Sequence, residues 1–261
     1  MQKLKLIKQE NLPKDNEFLW RYFDLHKLLN FLQNKQIRFT RMDQFEDTLE
    51  GVPFETLLRI TQMSNMPTFS LANFILDHKT TTLPQDSKLF GRIEKILQIQ
   101  SSHYVSCWFS EQRESMAMWN LYSNSDGVAL KIPFKILKNH LKPKSEEQNI
   151  QDYFCGKVEY QDFRNKSVYP ENELSKIKKV SLRKDVSFSH EKEIRFVIKK
   201  EKTKDNLELG INSEPLNLEE LDIKIVCHPK MDSWKKKNIK QLLINENLFR
   251  SFENSEIRLR H

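Results

Sequence analysis

Hydrophobic and polar positions alternate most cleanly in Ser187-Phe188-Ser189-His190-Glu191-Lys192-Glu193-Ile194-Arg195-Phe196-Val197-Ile198. Ile194, Phe196 and Ile198 interleave with Glu193, Arg195 and Val197, which is the period of a strand with one buried face. If the Ile/Phe/Ile face enters the core, Glu191, Glu193 and Arg195 all point the other way. That sets two carboxylates and a guanidinium in a row on a rigid strand, which is either a solvated face with a local ion pair or a set suited to chemistry on a polar substrate in a cleft. Val105-Ser106-Cys107-Trp108-Phe109-Ser110 repeats the period, with Val105, Cys107 and Phe109 on one face and Ser106, Trp108 and Ser110 on the other. Phe18-Leu19-Trp20-Arg21-Tyr22-Phe23 reads as a third strand. An arginine inside so apolar a segment needs a partner or an anionic ligand.

Helical spacing fills much of the remainder. Asp24 caps a helix whose Leu25, Leu28, Leu29 and Leu32 fall on one stripe; Asn34 ends it, and Ile37 to Thr40 forms a strand. Phe45 to Gly51 is an acidic turn, in which Asp47 and Glu50 either cap and turn the chain or belong to a site. Residues 52–101 read mostly as helix, with a core stripe of Leu89, Ile93, Ile96 and Leu97. Ser110 is expected to cap a helix from Glu111 to Tyr122. Met116, Trp119 and Tyr122 share one side of it, as core or as an aromatic wall for a planar ring. Asn124-Ser125-Asp126-Gly127 is a turn, Val128 to Ile132 a strand, and Pro133 opens a short helix to Leu141. A polar loop covers 143–152. Further expectations are a strand at 157–160, a helix at 172–179, a charged turn at 199–205 and a strand at 223–227. A helix from Asp232 or Ser233 to about Asn247 and a last strand at 256–259 complete the pattern. No repeat or linker divides it, so residues 1–261 are read as a single mixed α+β domain.

Composition narrows the function classes. At 261 residues, 38 % hydrophobic and with 17 phenylalanines, the chain can bury a sizeable core. No apolar run is long enough for a membrane span, and the first residues lack the apolar centre of a signal peptide, so a cytoplasmic protein with no membrane role is expected. Cys107, Cys155 and Cys227 have neither disulfide nor zinc spacing, and no metal is expected. The net charge of +7 favours anionic partners, although the lysines at 176–179, 199–204 and 235–240 form only short clusters. The five glycines, at positions 51, 91, 127, 156 and 210, make no phosphate-binding turn. Any nucleotide would have to be held by side chains such as arginine.

Several of these segments together resemble a bacterial family catalogued as domain of unknown function 2971. They are Trp20-Arg21-Tyr22, Phe45-Glu46-Asp47 with Glu50-Gly51, and Ser106-Cys107-Trp108, followed by Met118 to Tyr122 with Gly127, and Glu191 to Arg195. The resemblance runs from about residue 18 to 245, and that family name carries no function. More remotely, the chain is similar to the ADP-ribosyltransferases. Those enzymes place an arginine in the first strand, a serine opening a middle strand, and a Glu-x-Glu strand near the C-terminus, here Arg21, Ser106 and Glu191/Glu193. The glycine poverty and the opening strand followed by a leucine-striped helix are similar too. The middle strand departs from the pattern, reading Ser-Cys-Trp where many such enzymes have Ser-Thr-Ser.

That second resemblance implies a split β-sheet core with inserted helices, and NAD as a substrate. Arg21 would grip the diphosphate and Ser106 the ribose beside the nicotinamide, while Trp119 or Tyr122 stacks on the nicotinamide ring. Glu193 would accept from the ribose 2′-hydroxyl and stabilise the cationic sugar, with Glu191 orienting or deprotonating the acceptor. Three function classes follow. The first is a transferase or glycohydrolase acting on NAD, with a nucleic-acid or protein acceptor, as in a bacterial toxin or phage-defence effector. The second is a nucleic-acid-binding protein or a metal-dependent nuclease using Asp185, Glu191 and Glu193. The third is a non-catalytic nucleotide sensor or interaction module. Histidine catalysis has little support, and Cys107 reads as a buried structural thiol.

Overall fold

In the computed structural model the described residues are 3–47, 50, 98–162, 180–201 and 208–259, and their period-two segments become neighbours in one ten-stranded sheet. In chain order the strands are β1 Lys5–Leu6, β2 Phe18–Phe23, β3 Arg38–Arg41, β4 His103–Ser110, β5 Val128–Pro133 and β6 Ile150–Lys157. They continue as β7 Glu159–Gln161, β8 Arg183–Asp185, β9 Glu193–Lys200, β10 Gly210–Asn212, β11 Lys224–Cys227 and β12 Phe252–Asn254. The order across the sheet is β1-β6-β9-β4-β2-β5-β11-β12, with β3 also on β4 and β10 on β3. Strands β7 and β8 form a separate parallel pair. The helices are α1 Leu25–Asn34, α2 Met116–Tyr122, α3 Phe134–His140 and α4 Ser233–Asn245.

Strand β9 runs antiparallel along β4 from Glu193 opposite Phe109 to Lys199 opposite His103. The other edge of β4 is shared: β2 pairs with Phe109 and Ser110, and β3 pairs with Tyr104 and Val105. Among the described residues no strand lies beside 106–108 on that edge, and the sheet parts there into two branches.

The two faces of the sheet differ as the alternation predicts. Ile194, Phe196 and Ile198 join Tyr104, Trp108, Leu19, Leu130 and Ile225 in the large core. Helices α1, α3 and α4 cover this face with Leu28, Phe31 and Leu32, Phe134 and Leu137, and Ile239 and Leu243. Each such buried aliphatic or aromatic side chain contributes about 1.5–3 kcal/mol relative to exposure. The cap of α1 is as the sequence suggests: the Asp24 carboxylate accepts from Lys27 N–H at 2.8 Å, and Lys35 ends the helix at φ 54°. The second face carries two small apolar clusters, one around Trp20, Tyr22, Phe109 and Trp119, the other around Met42, Val105, Phe154 and Val197. Charged residues lie between them.

Four expectations are corrected. The helix after β4 begins at Met116, with Ser115 as its cap (Ser115 Oγ accepts from Met118 N–H), because Ser110 remains in β4 and gives its N–H to Lys192 O. The strand expected at 157–160 is two strands, β6 and β7; the polar residues of Gln151 and Asp152 hide the start of β6. The last strand is Phe252–Asn254 rather than 256–259, placed by parallel pairing with β11. Glu191 is not on the strand of Glu193 but ends the 3-10 turn Val186–Glu191, and Lys192 at φ 42° turns the chain into β9. Of the helical stretch expected at 52–101, residues 52–97 lie outside the described residues and 98–102 are helical; the expected helix at 172–179 and most of the charged turn at 199–205 also lie outside them. Among the described residues no helix is long and apolar enough to cross a membrane.

Candidate functional site

Arg195 is the centre of the charged face. Its neighbours across the sheet are small: Gly156 on β6 and Cys107 on β4 are its register partners. A methyl group at Gly156 would collide with Leu182 Cδ1, so glycine is what lets the 180–185 segment lie close over the strand. The Arg195 guanidinium is wholly buried. It donates from Nε to Glu193 Oε2 at 2.7 Å and from Nη2 to Glu193 Oε1 at 2.9 Å. Nη1 donates to Ser181 O at 2.9 Å, and Nη2 also pairs with Glu50. The Phe45 ring lies 5.9 Å from it.

A second cation completes the cluster. Lys184, on β8, donates to Glu191 Oε2 at 2.5 Å and to Glu193 Oε1 at 3.1 Å, with Glu50 Oε2 at 3.8 Å and the Phe188 ring at 4.5 Å. Three carboxylates thus meet two cations, all nearly water-free. Glu191 takes up the imbalance. Burial, then its hydrogen bond to Glu193, raises its pKa to about 7, against the pull of Lys184 and of the Tyr122 hydroxyl, which donates to Oε1 at 2.6 Å. Burial would raise Glu193 as well, but the Arg195 guanidinium beside it holds it well below the usual carboxylate range. Burial raises Glu50 despite Arg195 and Lys184. Two carboxyls in contact are therefore pushed apart, one carrying a proton near neutrality and the other ionised.

Arg21 and Ser106 sit at the parting of the sheet, on the helix-covered face. Arg21 Nη1 donates to Ser106 Oγ at 2.7 Å and Nη2 to Arg38 O at 3.1 Å, which ties the guanidinium to both branches. Its carbon lies 5.6 Å from the Trp108 ring and 5.8 Å from Phe23. Ser106 also accepts from Trp108 Nε1 at 3.0 Å. Among the described residues Arg21 has no carboxylate partner, and burial lowers its pKa to about 10.

A cavity of about 370 Å³ reaches from Arg21 to the carboxylates; its walls include Arg21, Cys107, Tyr122, Lys184, Glu191 and Glu193. A second hollow of about 460 Å³ shares Tyr122, Phe188 and Glu191 with it and adds Asn124 and His190. Of the residues expected at a site, Arg21, Tyr122, Glu191 and Glu193 line the cavity. Ser106 is fully buried behind Arg21, and its hydroxyl holds the guanidinium. Trp119 does not reach the cavity: it is fully buried, gives its Nε1 proton to Glu114 at 2.8 Å and packs edge-on to Tyr22 and His228. Asp185 is turned to local use, accepting from Ser187 N at 3.0 Å. Among the described residues no group of three His, Cys, Asp or Glu side chains is arranged to hold a metal ion. Burial pushes the Cys107 thiol well up, which keeps it protonated. The sequence carries no signal for Lys184, whose strand is too short to show a period, while Glu50, a turn or a site residue by its sequence, joins the cluster.

Residues 118–196 match the model of a family described as a protein of unknown function, DUF2971. The matched stretch holds Tyr122, Lys184, Glu191, Glu193 and Arg195, whereas Arg21, Glu50 and Ser106 fall outside it. No curated protein and no solved structure matches the chain.

Proposed function

We propose that the cavity binds a phosphate-bearing nucleotide, NAD foremost, and that the protein is an ADP-ribosyltransferase-like enzyme or NAD glycohydrolase. One observation carries this reading: Arg21 lines the cavity with only neutral hydrogen-bond partners for its guanidinium among the described residues, and the same cavity is lined by one carboxyl raised to about 7 and one held ionised. A guanidinium uses five N–H donors, and two are engaged here, so a diphosphate can take the rest as charge-assisted bonds. Ser106 orients Arg21 rather than touching the ribose. Tyr122 offers a ring for the base end. When the bond between nicotinamide and ribose breaks, its electron pair leaves with nicotinamide and the sugar becomes cationic; Glu193 supplies the negative charge nearby. The acceptor, water or a nucleophile, then attacks the sugar and loses its proton to the ionised fraction of Glu191, whose pKa of about 7 leaves a base present near neutrality.

The test is release of nicotinamide from NAD by the purified chain. Glu191→Gln is expected to lower it at least 100-fold with NAD binding retained, and Arg21→Gln to weaken NAD binding at least tenfold. A folded wild type that neither releases nicotinamide nor gains melting temperature with any nucleotide overturns the proposal. Because both Glu193 oxygens are held by Arg195 and Lys184, a binding module without turnover is the second reading. It predicts the thermal shift without nicotinamide release.

A further inference from the structure

Away from the cavity, Trp234 stands 61 % exposed on α4, whereas Trp20, Trp108 and Trp119 are at most 4 % exposed. Helix α4 buries Ile239 and Leu243, and the 3.6-residue period therefore turns Trp234, Lys237 and Gln241 toward solvent. Lys230 and Lys237 are exposed on this side of the helix, and among the described residues neither has a carboxylate partner; Lys240, further along, sets its ammonium 5.9 Å from the Phe252 ring. Lys235 is different: it pairs with Asp126 at 2.6 Å and Asp232 at 3.3 Å, and its ammonium lies 5.5 Å from the Trp234 ring. The polar Lys237, Asn238 and Gln241 separate Trp234 from the other exposed apolar groups nearby, Ile244 and Phe249, so there is no continuous apolar face to enter a lipid surface.

We infer that the outer face of α4 binds single-stranded nucleic acid, with a base stacked on Trp234 and phosphates beside Lys230 and Lys237. A flat π-face among unpaired ammonium groups complements that ligand and asks for no sequence. The Lys235–Asp126 pair fastens this end of α4 to the 124–127 turn, whose Asn124 lines the outer hollow. A bound strand would therefore lie beside the mouth of the candidate site. The inference does not depend on NAD chemistry, and its test does not use NAD.

Because the other three tryptophans are buried, the quenchable tryptophan emission of the full chain reports Trp234. Titration with an oligothymidylate of about 16 nucleotides at low salt is expected to quench it. In fluorescence anisotropy, Trp234→Ala should weaken binding about five- to hundredfold. Replacing Lys230 and Lys237 together by Gln should reduce the slope of log affinity against log salt by about 1.4. Circular dichroism establishes that each variant is folded, and the wild-type quenching decides the matter if one is not. Absence of quenching in the wild type overturns the inference, as does undiminished binding by both variants. Equal affinity for duplex DNA, or quenching by phosphatidylserine vesicles but not by the oligonucleotide, overturns it too.

Discussion

Arg21 and Arg195 line the same cavity, and their surroundings are opposites. Arg195 lies under two carboxylates, Glu193 and Glu50, which raise its pKa well above the usual guanidinium value although burial opposes them. Arg21 has a hydroxyl and a carbonyl, and burial lowers its pKa to about 10. The Arg195 end has more carboxyls than cations and retains a proton on Glu191. The Arg21 end has a cation and no carboxylate among the described residues. A buried charge that the protein itself neutralises belongs to the architecture; one it leaves with neutral partners is available to a ligand.

The largest effect should separate the two arginines directly. Arg195→Met leaves Glu193 and Glu50 buried beside Lys184 alone, and should lower unfolding stability by about 3–5 kcal/mol. Arg21→Met loses two hydrogen bonds but also removes a desolvated charge, and should stay within about 1 kcal/mol of the wild type. Urea unfolding of both variants measures this. Equal losses would erase the distinction between a structural and a ligand-facing guanidinium.

The next effect is smaller and lies in pH. Glu191 has a folded pKa of about 7, above its ordinary 4.5, so the folded state binds this proton more tightly than the unfolded chain. Its contribution to stability is complete below about pH 4.5 and is lost as pH rises through 7, on the order of 2 kcal/mol in all. Glu50 shifts in the same direction and adds to the slope; Glu193 is shifted down, and its contribution is lost only in acid. Glu191→Gln should therefore flatten the fall in melting temperature between pH 5 and pH 8 without abolishing it. An unchanged slope would mean that the Arg195 end holds no proton at neutrality.

How much of this was legible in the sequence depends on the range of the interaction. Alternation in 193–198 and 105–110 assigned each residue to its face, including Glu193 and Arg195 together, because sheet faces follow from local period. It could not say which face of β4 meets which face of β9. Ser106 consequently lies with the Ile/Phe/Ile core and Cys107 with the carboxylates, and the serine supports Arg21 instead of a ligand. Glu191 reached the expected place by another route, through a 3-10 turn and an αL residue rather than along the strand. Lys184 was invisible as a site residue because its strand is three residues long and its partners sit on irregular backbone, and for Glu50 the sequence left turn and site roles open because its partners are remote. The helix start at Ser115 rather than Ser110 reflects a tertiary contact, Ser110 N–H to Lys192 O, that outweighs a plausible local cap.

The smallest effect tests the support of Arg21 and is the finest probe of the contrast. Ser106→Ala removes one acceptor from Arg21 and the partner of Trp108 Nε1, while leaving the apolar packing of β4 nearly unchanged. Stability should fall by about 1–2 kcal/mol, because the indole N–H is left buried without its acceptor. The Arg21 guanidinium would still hold Arg38 O but lose its tie to β4, and among the described residues the gap beside 106–108 has no strand to confine it. If Ser106 serves to aim Arg21, nucleotide affinity should fall severalfold in Ser106→Ala while Arg195→Lys, which keeps the charge at the other end, leaves affinity nearer the wild type in whatever fraction remains folded. Calorimetric titration checks both. Affinity that follows the Arg195 substitution and ignores Ser106 would reverse the assignment, making the buried cluster the ligand contact and Arg21 a filler of the divided sheet.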